Sequence, residues 1–223
     1  MKKKLTTELL KKAAKTFCEN ESTYSNKELY GVTDGKAFGT FIEHKFQSFL
    51  EENYTFEKGS SAKGIDLPSE DVLTDIKVTS VKQPQSSCPF KNAKQKIFGL
   101  GYNLLVFVYE KADDHERGTA ILDFVSCSFL EKDRTADYTT TFRIREMVKD
   151  GAIKEDLIAY LIDKNIPADE ISLDEIADSI LQNTPEQGYL TISNALQWRL
   201  QYARVVNLTE NISGISKLID KVN

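Results

Sequence analysis

The chain has 223 residues, a length that allows one sizeable α/β domain with an appendage or two small domains. Hydrophobic residues make up 40% and charged residues 28%, which excludes an intrinsically disordered chain and is typical of a soluble globular protein. The net charge of −5 argues against a protein that coats nucleic acid non-specifically, and no apolar run reaches the roughly 18 residues of a bilayer-spanning helix.

Targeting and cofactor signals favour a cytoplasmic protein with no membrane partner. The N-terminal segment has a basic start but no apolar core or cleavage site, so it predicts an amphipathic surface helix and not a signal peptide. Three scattered cysteines, Cys18, Cys88 and Cys127, indicate neither a disulfide framework nor a Cys-based metal site. No glycine-rich phosphate loop occurs, so we expect no nucleotide cofactor.

The first half of the chain predicts the element order helix, strand, strand, strand, helix, buried strand. After a helix at 5–18 and a polar loop, residues 36–53 place Phe38, Ile42 and Phe46 at helical spacing, which predicts an amphipathic helix. The following predicted elements are strands at 54–59, 63–67 and 72–81, a polar loop at 83–89, a helix at 90–101, and strands at 102–110 and 118–131.

The second half of the chain predicts helices at 143–163, 172–182 and 193–206. Ser172 and Glu175 form a capping box at the start of the second of these. We therefore expect three parts: an N-terminal helix and loop at 1–34, an α/β core at 35–135, and a helical subdomain at 136–223 that reads DNA or dimerises.

Three polar side chains stand on predicted strands where Val or Ile would be favoured. Because side chains alternate along a strand, Asp75 and Lys77 project from the same face, about 7 Å apart. If the Pro-Ser-Glu-Asp turn closes an antiparallel hairpin, Asp66 lies across from them, within reach of one bound ion. Two half-buried carboxylates repel each other unless a cation bridges them, so the cluster favours a metal site.

Magnesium is the ion that this cluster favours. It takes one or two protein carboxylates and completes its shell with water and phosphate oxygens. Lys77 would then orient or deprotonate an attacking water, or stabilise charge on the phosphate. The alternative is a surface strand on which Asp75 and Lys77 form only a salt bridge, since Asp-x-Lys alone is a weak motif.

The residues "GID" at 64–66 and "DIK" at 75–77, between a helix bearing Glu43 and a helix bearing Gln95, resemble the PD-(D/E)xK nuclease superfamily. The order α-β-β-β-α-β matches the core of that superfamily. The stretch from Asp75 to Lys111 resembles, more narrowly, bacterial type II restriction endonucleases. This resemblance, over residues 35–130, implies a restriction-endonuclease-like core, with a mixed sheet flanked by helices, and a C-terminal helical subdomain.

The resemblance also implies Mg²⁺-dependent hydrolysis of phosphodiester bonds. Asp66 and Asp75 would be metal ligands, with the carbonyl of Ile76 as a third. Lys77 would be the catalytic lysine, and Glu43 the helix-borne carboxylate that holds a metal-bound water. The first motif departs from the family's Pro-Asp, because Ile65 precedes the aspartate, at a position that varies across the superfamily.

Two windows without a single Asp or Glu, 76–109 and 188–209, predict contact with DNA. In the first window, lysines supply phosphate contacts, and amide and hydroxyl side chains read base edges or position the backbone. The candidates there are Gln83, Gln85, Ser86, Ser87, Lys91, Lys94 and Gln95. Gln95 could alternatively contact the scissile region.

The second window falls on the predicted helix at 193–206. If this segment belongs to a helix-turn-helix, Arg199 and Arg204 face the major groove, together with Asn194 and Gln197. The connection before the helix is longer than the usual three or four residues, so a three-helix packing or dimerisation subdomain is the alternative.

The sequence as a whole predicts a Mg²⁺-dependent, sequence-specific endonuclease of double-stranded DNA. We expect a type II restriction enzyme that acts as a homodimer, because two-fold symmetry suits palindromic DNA. One alternative is a repair or recombination nuclease that recognises DNA structure. The other is a non-catalytic DNA-binding regulator, for which Asp66 and Lys77 would be dispensable.

Overall fold

The structure, a computed structural model, describes residues 2–59, 64–88, 91–193 and 198–222. The strands in these ranges are β1 (Lys3–Lys4), β2 (Ser25–Asn26), β3 (Tyr54–Thr55), β4 (Thr74–Ser80), β5 (Gln85–Cys88), β6 (Asn103–Asp114), β7 (Thr119–Leu130), β8 (Thr191–Ile192), β9 (Trp198–Gln201) and β10 (Ile215–Asp220). The helices are α1 (Thr7–Glu21), α2 (Gly35–Asn53), α3 (Lys94–Phe98), α4 (Tyr138–Lys149), α5 (Lys154–Asp163), α6 (Glu170–Gln182) and α7 (Ala203–Val206). Within the described ranges, no helix is both long and apolar enough to cross a membrane.

The chain divides into two compact units, each of which combines separate stretches of sequence. The first consists of Met1–Gln85, Tyr102–Leu130 and Val206–Asn223, and the second of Ser86–Gly101 and Glu131–Val205. The units therefore cross the predicted boundaries at 34 and 135. The segment between β4 and β6 lies largely in the second unit, and the C-terminal strand β10 lies in the first, so the part after 135 is not purely helical.

A mixed sheet with the strand order β10-β7-β6-β4 forms the centre of the first unit, and β2 also pairs with β7. Strand β4 runs parallel to β6, whereas β7 is antiparallel to both β6 and β10. Six consecutive residues of β6, from Leu104 to Tyr109, are buried, as their continuous apolar run predicts. The predicted mixed α/β fold is confirmed.

Helices α1 and α2 pack on this sheet and bury their apolar stripes in one common core. Helix α1 begins after Thr6 and α2 after Asp34, and each of these side chains accepts a backbone N–H of the first turn. Burial of one aromatic ring contributes on the order of 2 kcal/mol to stability. The rings that join helices and sheet, with centroids 5.0 to 6.1 Å apart, are Phe17, Phe46, Phe107 and Phe124.

The segment before β4 forms a turn in place of the second predicted strand. Within the described residues from Gly64 onward, Leu67 pairs with Thr74 in an isolated antiparallel bridge with backbone hydrogen bonds of 2.9 and 3.0 Å. The turn closes where the N–H of Leu73 donates to the carbonyl of Ser69 at 2.7 Å. Leu73 has a φ of 30°, a strained left-handed conformation for a bulky residue. One bridge, with no regular strand, therefore places Asp66 beside β4.

Helices α4, α5 and α6 surround a separate apolar core in the second unit. The predicted helix at 143–163 is interrupted at Gly151, whose φ of 85° lies in the turn between α4 and α5. Helix α6 begins directly after Asp169, whose carboxylate accepts the N–H of Ser172 at 2.7 Å. The predicted capping box of Ser172 and Glu175 is wrong, because Asp169 caps the helix three residues earlier.

A three-stranded sheet of order β5-β9-β8 replaces two predicted features. Residues 85–88, predicted as a loop, form β5, and Trp198–Gln201, predicted as helix, form β9. Burial alternates from residue to residue along β9, the pattern of a half-buried strand. Pairing with two neighbouring strands outweighs the helix propensity of this segment. Asn194 and Gln197, two further candidate DNA contacts, lie outside the described residues.

Helix α3 covers only Lys94–Phe98, which is less than the predicted 90–101. It ends at Gly99, whose φ is 88°. A Cβ atom at this position would clash with the backbone carbonyl of Lys132. Glycine is therefore required here both by its backbone conformation and by the close approach of a neighbouring turn.

Candidate active site

Four charged side chains that the sequence predicts as site residues converge at β4, which is an edge of the mixed sheet. Asp75 and Lys77 lie on β4 itself. Asp66 lies in the turn before β4, and Glu43 lies on α2, which packs against β4. The charges of the other three act on the carboxyl of Glu43, so all four groups share one small region of the first unit.

Asp66 is held by the backbone of β4. Its Oδ2 accepts the N–H of Ile76 at 2.8 Å. Because the N–H and C=O of one strand residue point to the same side, the carbonyl of Ile76 also points to the edge where Asp66 lies. Strand β6 pairs with the opposite edge of β4. The carboxylate of Asp66 and the carbonyl of Ile76 therefore present oxygen atoms at the same edge.

Asp75 is buried beside Lys77. The residue is 4% exposed, and its Oδ2 lies 2.7 Å from Nζ of Lys77. Burial raises the pKa of Asp75 to about 7 despite the Lys77 ammonium, and a hydrogen bond to the carboxyl of Asp66 acts in the same direction as burial. Burial by itself lowers the pKa of Lys77. The negative charges of Asp75 and the neighbouring carboxylates have a larger effect, so the pKa of this lysine is raised.

Glu43 adds a third carboxyl from α2. It is half-buried, and burial together with the charge of Asp66 raises the pKa of Glu43 to about 7, against the effect of the Lys77 ammonium. Three carboxyls therefore surround one ammonium group. Such an arrangement is crowded with negative charge unless the carboxyls hold protons or a further cation binds.

The residues present fit a hard divalent cation. The negative charge of Asp66 acts on the buried carboxyl of Asp75, and two ionised carboxylates this close repel each other unless a cation lies between them. Among the described residues, no three His, Cys, Asp or Glu side chains form a ready-made metal cage. Two carboxylates and a carbonyl suit Mg²⁺, which keeps several waters and takes phosphate oxygens, better than they suit zinc.

The chain is similar to type II restriction enzymes over nearly its whole length. Residues 4–217 match the model of a family described as "Type II restriction enzyme NspV". The type II restriction enzyme NspV of Nostoc sp. (strain ATCC 29411 / PCC 7524) is 53% identical over 211 residues, which cover 95% of each chain. The chain belongs to the NspV family of type II restriction enzymes.

Membership of the NspV family confirms the predicted resemblance to type II restriction endonucleases. The chain is accordingly a site-specific deoxyribonuclease, as its sequence predicts. A solved structure, the tetrameric restriction endonuclease SfiI bound to cognate DNA, is 14% identical, with a TM-score of 0.36 over 92% of this chain and 84% of that chain.

The candidate DNA contacts that follow β4 in this NspV-family chain differ in exposure. Gln83 is exposed in the turn after β4, Gln85 begins β5, and Ser87 is exposed on that strand. Ser86 points the other way, since its hydroxyl lies 2.5 Å from the hydroxyl of the buried Tyr202. Gln83 and Ser87 are therefore accessible to DNA, whereas Ser86 makes a contact inside the protein.

The candidates around α3 also separate into exposed and buried residues. Lys91 and Lys94 are exposed. Gln95 is buried, and its amide accepts the N–H of Lys91 at 3.2 Å and donates to the carbonyl of Leu100 at 3.1 Å. Lys96 is likewise buried and donates to the carbonyl of Ile192 at 3.0 Å. Both buried side chains stabilise their own unit.

Arg199 and Arg204 are both exposed, but they do not share a recognition helix. Arg199 lies on β9, and Arg204 lies on α7 with its guanidinium 3.6 Å from the ring centre of Tyr138. The helix-turn-helix, one of the two alternatives for this segment, is therefore wrong. Gln201 shares the exposed side of β9 with Arg199 but is absent from the predicted set. The alternation in Trp-Arg-Leu-Gln is the signal that indicates it.

Proposed function

We propose that this enzyme cuts both strands of a specific double-stranded DNA site by Mg²⁺-dependent hydrolysis of phosphodiester bonds. The observation that carries the proposal is the gathering of Glu43, Asp66 and Asp75 around Lys77 at one sheet edge. A non-catalytic DNA-binding regulator would not require three crowded carboxyls at a strand edge. The repulsion between the ionised carboxyls is offset when a cation binds among them, and the bound cation in turn attracts a phosphate.

Asp66, Asp75 and the carbonyl of Ile76 would hold the ion. When bound, Mg²⁺ supplies a Lewis acid that neutralises the phosphate and lowers the pKa of water. Lys77 contributes a fixed positive charge, held at 2.7 Å from Asp75, that orients the attacking water and stabilises the charge developing on the phosphate. Glu43 accepts a hydrogen bond from a water of the site and so restricts the orientation of that water.

We also propose that the enzyme acts as a homodimer in the cytoplasm, where its DNA substrate is found. One chain supplies one cluster of this kind and therefore cuts one strand at a time. Two copies related by a two-fold axis present two clusters to the two antiparallel strands of a palindromic site.

The test is digestion of supercoiled plasmid and phage DNA in Mg²⁺, in EDTA, and with the variant Lys77→Ala. We expect discrete, reproducible fragments from the wild-type enzyme in Mg²⁺ alone. Lys77→Ala removes the only ammonium of the cluster, so we expect cleavage to fall by roughly 100-fold or more while the DNA is still bound. Lys15→Ala, on the exposed side of α1, is the matched control and should cut like the wild-type enzyme.

Three results would contradict these proposals. A smear, or cleavage confined to branched DNA, would favour a nuclease that recognises DNA structure. DNA binding that survives EDTA, without cleavage by the wild-type chain at any Mg²⁺ concentration, would favour a non-catalytic regulator. Accumulation of nicked plasmid before linear product would argue against two coordinated clusters in a dimer.

A further inference from the structure

The three-stranded sheet β5-β9-β8 has one apolar, buried face and one polar, exposed face. On β9, Trp198 and Leu200 are buried, and Arg199 and Gln201 are exposed. Thr191 of β8 pairs directly with Gln201 and is exposed as well. On β5, the exposed residue is Ser87. We call these four exposed residues, Ser87, Thr191, Arg199 and Gln201, the polar sheet face.

The polar sheet face is suited to an anionic ligand. Neither of the chain segments that form it, 76–109 and 188–209, contains an Asp or a Glu. In the part of the chain that the structure describes, ion pairs hold Arg117, Arg134 and Arg143 but not Arg199. The guanidinium of Arg199 therefore stands on an exposed strand with its five N–H donors available to a ligand.

Buried polar groups hold strand β8, and through it the strand pair β8–β9, in position. Oδ2 of the buried Asp137 accepts the N–H of Ile192 at 2.8 Å, and the ammonium of Lys96 donates to the carbonyl of the same residue at 3.0 Å. Beyond Ile192, the hydroxyl of Ser193 accepts the N–H of Arg199 at 3.1 Å. The backbone under the polar sheet face is thus held in one position, as a recognition surface requires.

We infer that the polar sheet face enters the major groove of the DNA and that Arg199 and Gln201 determine the sequence that is cut. The inference rests on the proposed function. The major groove admits a two-stranded β-ribbon as well as a helix. Arginine pairs in bidentate fashion with O6 and N7 of guanine, and glutamine with N6 and N7 of adenine. The cut site therefore contains a G·C pair read by Arg199 and an A·T pair read by Gln201.

Arg204 does not belong to this surface. Its guanidinium lies over the ring of Tyr138, 3.6 Å from the ring centre, and the four-residue helix α7 places it beyond the end of β9. A guanidinium held over an aromatic ring is less free to turn toward a base edge. We therefore expect Arg204 to contact the DNA backbone and not a base.

The experiment measures cleavage of a set of duplexes by wild-type enzyme, Arg199→Ala, Arg199→Lys and Gln201→Ala. Fragments of phage DNA cut by the wild-type enzyme first define the site. The set then contains that site and every single base-pair replacement in it, and kcat/KM is measured for each duplex. Arg143→Ala, an exposed arginine on α4 in the same unit, is the matched control.

For Arg199→Ala, we expect kcat/KM on the intact site to fall by roughly 10- to 100-fold, and discrimination to be lost at one G·C pair only. Gln201→Ala should lose discrimination at one A·T pair. Arg199→Lys keeps the charge but not the bidentate fork, so it should still fail to discriminate at the same G·C pair. Arg143→Ala should match the wild-type enzyme on every duplex.

Two results would overturn the inference while the proposed function stands. In one, the wild-type enzyme gives discrete fragments, and both Arg199 variants and Gln201→Ala keep full discrimination at every position. In the other, activity falls equally on all duplexes, which indicates contacts to phosphate alone. If the wild-type enzyme gives no discrete fragments, the proposed function fails instead. Circular dichroism melts test whether each variant is folded, and Arg199→Lys, which keeps a charged and exposed side chain, should melt like the wild-type enzyme.

Discussion

Asp66 and Ile76 are joined by a hydrogen bond of 2.8 Å from the backbone N–H of β4 to a carboxylate oxygen in the preceding turn. This single bond brings a side chain from a turn to the edge of a strand. It also aligns the carboxylate with the Ile76 carbonyl, so two candidate metal ligands come from residues ten positions apart.

Asp66→Asn should separate metal binding from folding. The amide oxygen of asparagine still accepts the N–H of Ile76, while the removal of one negative charge relieves the crowding with Asp75 and Glu43. We expect the melting temperature in EDTA to equal or exceed that of the wild-type enzyme. Addition of Mg²⁺ should raise the melting temperature of the wild-type enzyme only, and cleavage by the variant should fall by roughly 100-fold.

The matched comparison for this site is Asp66→Ala. Alanine cannot accept the hydrogen bond, so this variant should lose stability in EDTA by about 1 kcal/mol as well as activity. Equal Mg²⁺-dependent stabilisation of wild-type enzyme and Asp66→Asn, measured by differential scanning fluorimetry, would exclude Asp66 as a ligand.

The free energy of unfolding in EDTA should decrease as the pH rises from about 4 to about 7. Asp75 has its pKa raised from an unfolded value near 4 to about 7 in the folded protein, so the folded state binds the extra proton in this window. This contribution to stability is complete below the unfolded pKa and is lost as the pH rises through the folded pKa. This rise in the pKa from near 4 to about 7 corresponds to roughly 4 kcal/mol of stability.

Urea unfolding at a series of pH values checks this prediction. Asp75→Asn cannot titrate and should flatten the pH dependence, and Glu43→Gln should flatten it in the same direction by a smaller amount, since Glu43 is only half-buried. Glu52→Gln, at an exposed position of the same helix α2, should leave the wild-type curve unchanged. An Asp75→Asn curve parallel to that of the wild-type enzyme would contradict the assignment.

Gly99→Ala should destabilise the protein more than Gly101→Ala. Both glycines have positive φ, 88° and 86°, so both substitutions carry a backbone cost of about 1 kcal/mol. A Cβ at Gly99 would in addition clash with the carbonyl of Lys132, whereas a Cβ at Gly101 would meet no atom within 4 Å. The difference between the two variants in urea unfolding should be about 1 to 3 kcal/mol. Equal losses of unfolding free energy in the two variants would show that the turn at Lys132 shifts to accommodate the added Cβ without cost.

Asp137→Ala should destabilise the second unit by about 3 kcal/mol. The buried carboxylate caps α4 by accepting the N–H and hydroxyl of Thr140 at 2.9 and 2.7 Å, and it also accepts the N–H of Ile192 at 2.8 Å. Removal leaves these buried donors without their acceptor. Asp133→Ala, in the exposed turn before α4, is the control and should change the unfolding free energy by less than about 0.5 kcal/mol. A loss that small for Asp137→Ala would contradict the conclusion that the hydrogen bond from Ile192 to Asp137 holds β8 in place.

The sequence by itself determined the elements whose side-chain periodicity is strong and uninterrupted. Helix α2 was predictable from its aromatic spacing, and β6 from its continuous apolar run. The shared face of Asp75 and Lys77 follows from strand alternation alone, since a period of two leaves no other arrangement. These features depend on residues that are close in the chain, so local pattern is sufficient to predict them.

Only the tertiary structure decided the positions that depend on distant residues. Asp66 is placed beside β4 by the bridge at Leu67 and the hydrogen bond to Ile76, and the described residues 64–73 contain no regular strand. The segment at Trp198–Gln201 has helix-forming residues, yet it is a strand because β5 and β8 pair with it and Asp137 holds β8 in place. Backbone pairing and buried hydrogen bonds between segments distant in sequence outweigh a local helix preference of a few tenths of a kcal/mol per residue.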